Sequence, residues 1–306
     1  MLAPLEIAHL SPEKIATFVL EEMMSLLRAD INASTQWYDK VQPYLQPIHS
    51  LESRQTTHYE VLARFFVNDQ YVIEPAAMFK WLTAMENVKV FIQLLEKTAH
   101  IDLPLTFNLS CDVFLDGKAF ELLEKSLPKS VLSDRSIIIE IAETQLEEQS
   151  LRDLTLKNNL KRLHKRGVCF AIDDFGVAGS NYDRLRRFDN IVSIVKVDKN
   201  FFWDMTKNVR KGDIFLNSSA DMGNECSRDN VEVRLINFIR SMSVSSIVFE
   251  GIETEEHLRM IEKISKLISA DVYGQGYYLG RPTKISDAPL LDKADKEMLS
   301  VYEETL

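Results

Sequence analysis

The chain has 306 residues, enough for one large domain or two ordinary ones, and its 45% hydrophobic and 27% charged content suit a globular protein with a sizeable core. Its 36 basic against 46 acidic residues give a net charge of −10 with no block of Lys or Arg, which argues against non-specific binding to nucleic acid or to an anionic membrane. No stretch approaches the ~20 apolar residues of a membrane span, no signal-peptide pattern opens the chain, and Cys111, Cys169 and Cys226 are widely spaced. These features predict a cytoplasmic protein with reduced, buried thiols.

Ser11-Pro12-Glu13 reads as a helix start, with Ser as N-cap, Pro at the first helical position and an acid in the first turn. Ile15, Phe18, Val19, Met23, Leu26 and Leu27 follow at helical spacing. They predict an amphipathic helix within an extension over 1–40, packed on its own domain or on a partner.

From about residue 42, short β-rich runs alternate with helical stretches: PYLQPIHSL, HYEVLARFF, LTFNLS, SIIIEIAE, GVCFAIDD, VSIVKVD, SSIVFEGI and DVYGQGYYLG. Amphipathic helices over 78–99 and 151–166 lie between them. Eight apolar strands in repeated βα units predict an α/β fold, a (β/α)8 barrel over 41–290; a doubly wound sheet is the rival. The polar, aperiodic stretch near 203–232 reads as an insertion after the sixth strand, and 291–306 as a C-terminal tail helix.

Polar residues interrupt these strands once per unit: Glu60, Asn108, Glu140, Asp173 with Asp174, Lys196, Glu250 and Gln275. A βα unit takes about 30 residues, and in a barrel the carboxyl ends of the strands open on one mouth, where active sites lie. One such residue alone reads better as a solvent-facing strand edge. Five carboxylates converging on one mouth are another matter, because they repel one another unless cations are present. An oxygen-only donor set, carboxylates plus the Asn108 carbonyl, suits Mg2+ or Mn2+. Adjacent Asp173 and Asp174 suit a pair of ions, the usual equipment for cleaving a phosphodiester. Lys196 and Asp198 stand i, i+2 on one strand and face the same way. Asp198 either orients the ammonium towards a phosphate or water, or forms a simple structural ion pair with it. No Walker-type loop, dinucleotide fingerprint at a strand–helix start, or nucleophilic Ser or Cys motif is present.

EVLAR (60–64), FNLS, EIAE, DDFG, KVD, EGIE and QGYYLGRP occur in an order that closely resembles the EAL family of cyclic di-GMP phosphodiesterases, from LQPIHSL near residue 45 to Pro282. That resemblance implies a TIM-like barrel whose first strand is antiparallel, and a Mg2+- or Mn2+-dependent hydrolysis of cyclic di-GMP at two metals. Glu60, Asn108, Glu140 and Asp173 would hold the first ion, and Asp173, Asp174 and Glu250 the second. Lys196 would assist the attacking water, with Asp174 and Glu250 beside it. Glu143 would brace the loop after the fifth strand, and Glu253 and Asp198 would support the ligands. Gln46, Arg64, Asp198, Gln275 and Pro282 would line the substrate, Arg64 on a phosphate. It also implies a homodimer. The chain departs from the family at Val61, which replaces the signature Ala. It departs again at Val177-Ala178-Gly179-Ser180, where relatives read Thr/Ala-Gly-Tyr-Ser. The complete ligand set favours an enzyme; the altered loop favours a receptor that binds cyclic di-GMP and signals to a protein partner.

Overall fold

The computed structural model describes residues 37–67, 71–73, 79, 82–127, 137–147, 153–176, 188, 190–200 and 244–288. The expected N-terminal helix, the loop at 177–180, the insertion near 203–232 and the tail helix lie outside the described residues.

Eight strands close into a barrel: β1 (Gln42–Ser50), β2 (Thr56–Val67), β4 (Leu105–Asn108), β5 (Ile137–Ala142), β6 (Cys169–Phe175), β7 (Val192–Val197), β8 (Ser246–Phe249) and β9 (Asp271–Gly274). From β2 to β9 every neighbouring pair in the ring is parallel. β1 is antiparallel to both β2 and β9, and these two pairings shut the ring, which excludes the doubly wound sheet. Two short strands lie outside it: β3 (Tyr71–Ile73) continues β2 as a hairpin, and β10 (Thr283–Lys284) pairs with β1.

The first outer helix, α1 (Ala84–Lys97), shows why the sequence folds this way locally. Thr83 caps it: its Oγ1 accepts from Glu86 N at 3.2 Å while Glu86 Oε2 accepts from Thr83 N at 2.9 Å, a reciprocal capping box. Val88, Phe91 and Leu95 recur at three- and four-residue steps on its buried face. Phe91 meets Phe107 of β4 edge-to-face, with ring centroids 5.2 Å apart. The helices α2 (Cys111–Leu115), α3 (Gly117–Ser126), α4 (Glu143–Glu147), α5 (Asp153–His164) and α6 (Glu255–Ser265) follow in chain order. Phe114 on α2 meets Phe170 of β6 in the same edge-to-face manner.

The outward faces of the strands form the core beneath these helices, with Tyr59, Val61, Ala63 and Phe65 of β2 all buried. Alternation then turns His58, Glu60, Leu62 and Arg64 to the opposite face. Strand pleat thus separates the apolar seal from the polar lining.

Candidate metal and phosphodiester site

Strand registers bring the polar residues together. Asn108 of β4 and Glu140 of β5 are direct partners, and on the other side of β2 Gln46 lies opposite Glu60. Glu60 was expected at a strand end; it falls in the middle of β2 because β2 runs on into its hairpin with β3. Its carboxylate is gripped on both oxygens: Asn108 Nδ2 donates to Oε1 at 2.7 Å, and Gln275 Nε2 donates to Oε2 at 2.6 Å.

Lys196 stands at the centre. Its Nζ lies 2.9 Å from Glu140 Oε2, 2.9 Å from Glu250 Oε1, 3.1 Å from Asp173 Oδ1 and 3.4 Å from Glu60 Oε2. Burial alone would lower its pKa. Asp173, Glu140, Glu250 and Glu60 outweigh that and hold it well above the ordinary lysine value, so the ammonium is charged. Asp198 follows two residues later and uses Oδ1 to accept from the backbone N–H of Asn200 at 2.7 Å. The cage around Lys196 comes from other strands.

Adjacent residues of a regular strand face opposite sides, yet Asp173, Asp174 and Glu250 each bring an oxygen within 4.8 Å of the others. The reason is a break in the β6–β7 register between Ile172 and Phe175. There Asp174 takes φ 55°, a left-handed conformation that Asp tolerates better than most side chains. Gly251, at φ 66°, turns the chain directly after Glu250, and a Cβ on it would lie 2.3 Å from Lys199 Cβ. Glu143, fully buried at the start of α4, accepts from Gly176 N at 2.8 Å and so ties the end of β6 to the end of β5.

The electrostatics are those of carboxylates crowded beyond what one lysine neutralises. Burial pushes Glu250 up to about 8, with Asp173 and Glu60 adding to the rise and Lys196 opposing it. Asp174 rises to about 6, from burial first and repulsion by Asp173 second. Burial, reinforced by Glu60, also drives Glu140 well above the carboxylate range. Glu60 goes the other way: despite its burial, Lys196, Gln275 and Asn108 hold it below the ordinary value. Glu140 Oε1 and Gln275 Oε1 are buried with no hydrogen-bond partner among the described residues. A donor set of this kind, hard oxygens with lone pairs to spare, fits a divalent cation.

The remaining predicted residues make contacts of their own. Arg64 stands over the Tyr44 ring at 5.4 Å and donates to Ala63 O at 3.0 Å. Gln46 is buried and donates to Gly280 O at 3.2 Å, so it ties β1 to the loop after β9. Pro282, half-buried, leads that loop into β10. Glu253 is exposed and pairs with Lys199 at 3.6 Å. His58 was not foreseen. It lies two residues before Glu60 on the same face, edge-on to Tyr273 with centroids 5.2 Å apart. Burial, then Lys196, lowers its pKa to about 4, so it is a neutral residue beneath the charged layer. Its i−2 spacing from Glu60 is the sequence signal for it.

A closed barrel with a convergent acidic mouth defines a class: a TIM-like α/β barrel built around a carboxylate site of the kind that holds divalent cations. Residues 32–282 match the EAL domain, and the chain belongs to that family. It is 30% identical over 156 residues to the probable cyclic di-GMP phosphodiesterase PdeA of Escherichia coli strain K12, a match that spans 51% of this chain and 18% of that protein. The chain therefore corresponds to only a part of that relative. Among solved structures, the FimX EAL domain of Pseudomonas aeruginosa bound to c-di-GMP superimposes with a TM-score of 0.64 at 19% identity, over 89% of this chain and 99% of that one. The YkuI protein of Bacillus subtilis, in complex with c-di-GMP and calcium, superimposes with a TM-score of 0.60 at 20% identity, over 88% and 63%. These two share the fold.

Proposed function

We propose that this protein hydrolyses cyclic di-GMP to linear pGpG with two Mg2+ or Mn2+ ions at the mouth of its barrel. The observation that carries the reading is the convergence of Glu60, Glu140, Asp173 and Glu250, from four separate stretches of chain, around one buried lysine, with Asp174 beside Asp173 and Glu250. Relatives in the family act on or bind that nucleotide by their names.

Asp173, Asp174 and Glu250 would hold one ion, and Glu60, Asn108, Glu140 and Asp173 the other. Bound there, the ions neutralise the carboxylates and supply Lewis acidity at the phosphodiester. The chain's own residues do the rest. Gln275 and Asn108 fix the Glu60 carboxylate, Lys196 orients the attacking water, and Glu143 holds the backbone that presents Asp174. Arg64 receives a phosphate of the substrate, and Gln46 and Pro282 shape the wall beside it. Water adds to phosphorus, the P–O3′ bond breaks, and the freed 3′ oxygen takes up a proton, leaving a linear dinucleotide with a 5′ phosphate.

No helix among the described residues is long and apolar enough to cross a membrane, and we place the protein in the cytoplasm, acting as a homodimer. Incubation with cyclic di-GMP and Mg2+ or Mn2+, with products separated by chromatography, tests the reading; an unchanged substrate peak in every metal overturns it. One observation favours a second reading, a receptor that binds without cleaving: the sequence Val177-Ala178-Gly179-Ser180 directly after the Gly176 that Glu143 grips. Tight binding without turnover would establish it.

A further inference from the structure

Lys196 meets four carboxylates at 2.9–3.4 Å and is itself sealed from solvent. An ammonium has three N–H donors, so it cannot give each of four carboxylates a bond of its own. The contact is that of a cation in an anionic cage. Among the described residues, Lys196 supplies every ion pair that Glu60, Glu140, Asp173 and Glu250 make. All four are residues that the two-metal reading assigns to metals.

We propose that Lys196 is a placeholder cation: in the metal-free protein its ammonium sits among the carboxylates and offsets part of the charge that divalent ions neutralise in the loaded one, and it competes with those ions for them. The proposal rests on the two-metal reading. It explains how a chain with so many buried carboxylates folds before metal arrives, since an uncompensated buried charge is strongly destabilising.

It also sets an order of loading. Asp174 belongs to the trio with Asp173 and Glu250, and its oxygens lie outside the lysine's ion pairs. A first ion therefore enters at the trio, where Asp174 is one carboxylate clear of Lys196, whereas all three carboxylates of the other position, Glu60, Glu140 and Asp173, are paired with it. The other position needs Glu60 and Glu140, and both must be released by the ammonium before an ion can take them. The second ion binds more weakly than the first, and the lysine is the cause. Once released, the ammonium is free to face the substrate, so loading the metals also arms the residue that the proposed chemistry uses.

Lys196→Met keeps an unbranched side chain, one atom shorter, and removes its charge. Thermal unfolding is followed in chelator and in Mn2+, and Mn2+ uptake is measured by calorimetry, both without substrate. In chelator the variant's midpoint falls by on the order of 10 °C relative to the parent, and saturating Mn2+ closes the gap. The weaker of the two Mn2+ steps tightens by about tenfold or more in the variant. A metal-free midpoint equal to the parent's, or a weaker step that stays unchanged or loosens, overturns the proposal. Should Lys196→Met not fold without metal, it is purified in Mn2+ and then chelated; unfolding on chelation supports the proposal, and Lys196→Gln provides a second neutral variant for the uptake measurement. A parent that takes up no Mn2+ defeats the two-metal reading itself, a different result from a parent that binds and a variant that binds no better.

Discussion

Gln275 Nε2 donates to Glu60 Oε2 at 2.6 Å, and the two residues are 215 positions apart in the sequence. The bond joins the end of the last barrel strand to the middle of β2. It leaves Gln275 Oε1 buried and without a partner among the described residues, and it presents a carboxylate that Asn108 also holds. A hydrogen bond to a buried charge contributes more than a neutral one, about 1.5–3 kcal/mol.

Gln275→Glu tests what that bond does. The change removes the donor and sets another carboxylate against Glu60, with little change in volume. Cleavage of cyclic di-GMP is expected to fall by about 10–100-fold, with the circular dichroism spectrum unchanged. A variant with the parent's rate would mean that Glu60 needs no such support.

Glu60→Ala and Asp173→Ala each remove a carboxylate from the cage around Lys196. Both are expected to lose turnover by orders of magnitude while keeping their fold, since mouth residues of a barrel serve its function more than its stability. The comparison needs only a rate assay and an unfolding curve on each protein. Near-normal turnover in either would move the site elsewhere.

Much of this was legible in the sequence, for a physical reason. Buried strands in βα units leave a pattern of apolar runs, and a charged residue inside such a run needs an explanation that a surface charge does not. Glu140 after three isoleucines and Lys196 inside VSIVKVD were visible on that ground alone. What stayed hidden depends on closure and on local breaks. Spacing placed Asp198 on the same face as Lys196 but could not show that Glu60, Glu140, Asp173 and Glu250 would reach the ammonium, because that is a property of the closed ring. Nor does DDFG reveal the register break that turns Asp173 and Asp174 to one side, which appears only in the pairing of β6 with β7 and in the φ of 55° at Asp174. The strand-end position expected of Glu60 failed because a hairpin beyond the mouth lengthens β2.

The pH dependence follows from Glu250 at about 8 and Asp174 at about 6. Both values lie above those of the unfolded chain, so the metal-free folded protein holds these two protons more tightly than the unfolded one does. Their contribution to stability is present below the ordinary carboxylate range and is lost as pH rises through about 6 for Asp174 and about 8 for Glu250. Metal binding has the opposite sign, because an ion needs the ionised form. Affinity for Mn2+ should therefore rise across this window, and thermal unfolding at several pH values, with and without Mn2+, reads both trends. A metal affinity flat across the window would contradict the assignment of these carboxylates.

Two substitutions test the scaffold apart from the chemistry. A Cβ on Gly276 would lie 2.2 Å from Ile252 O, a backbone atom that cannot swing aside. Gly276→Ala should therefore displace the loop after β9 and lower both stability and turnover. Thr83→Ala removes only the cap of α1 and should cost ~1 kcal/mol of stability with turnover intact. A denaturant titration and a rate measurement on the two proteins separate these effects.

The last prediction concerns the link between Glu143 and the segment after β6. Glu143 Oε2 accepts from Gly176 N at 2.8 Å, so a residue at the end of β5 fixes the backbone two positions beyond Asp174. Gly176 takes φ 109°, a conformation few other residues adopt. Glu143→Ala releases that backbone, and with it the strained turn at Asp174. The expected result is a fall in kcat with binding of cyclic di-GMP little changed, because Arg64 and Glu60 belong to another strand, β2. A displacement of about 1 Å at a reacting centre can cost ~100-fold in rate. The same logic applies to the sequence just after the contact. If Ala178 and Gly179 weaken the placement of Asp174, then Ala178→Gly combined with Gly179→Tyr, the order found in relatives, raises kcat and leaves the dissociation constant for cyclic di-GMP unchanged. Pre-steady-state rates and binding isotherms on the parent, Glu143→Ala and the double variant distinguish the cases. A parent that is already fast, and slower with the relatives' order, shows a loop adapted to this barrel and leaves the enzyme reading in place. Binding without cleavage in both parent and double variant replaces it with the receptor.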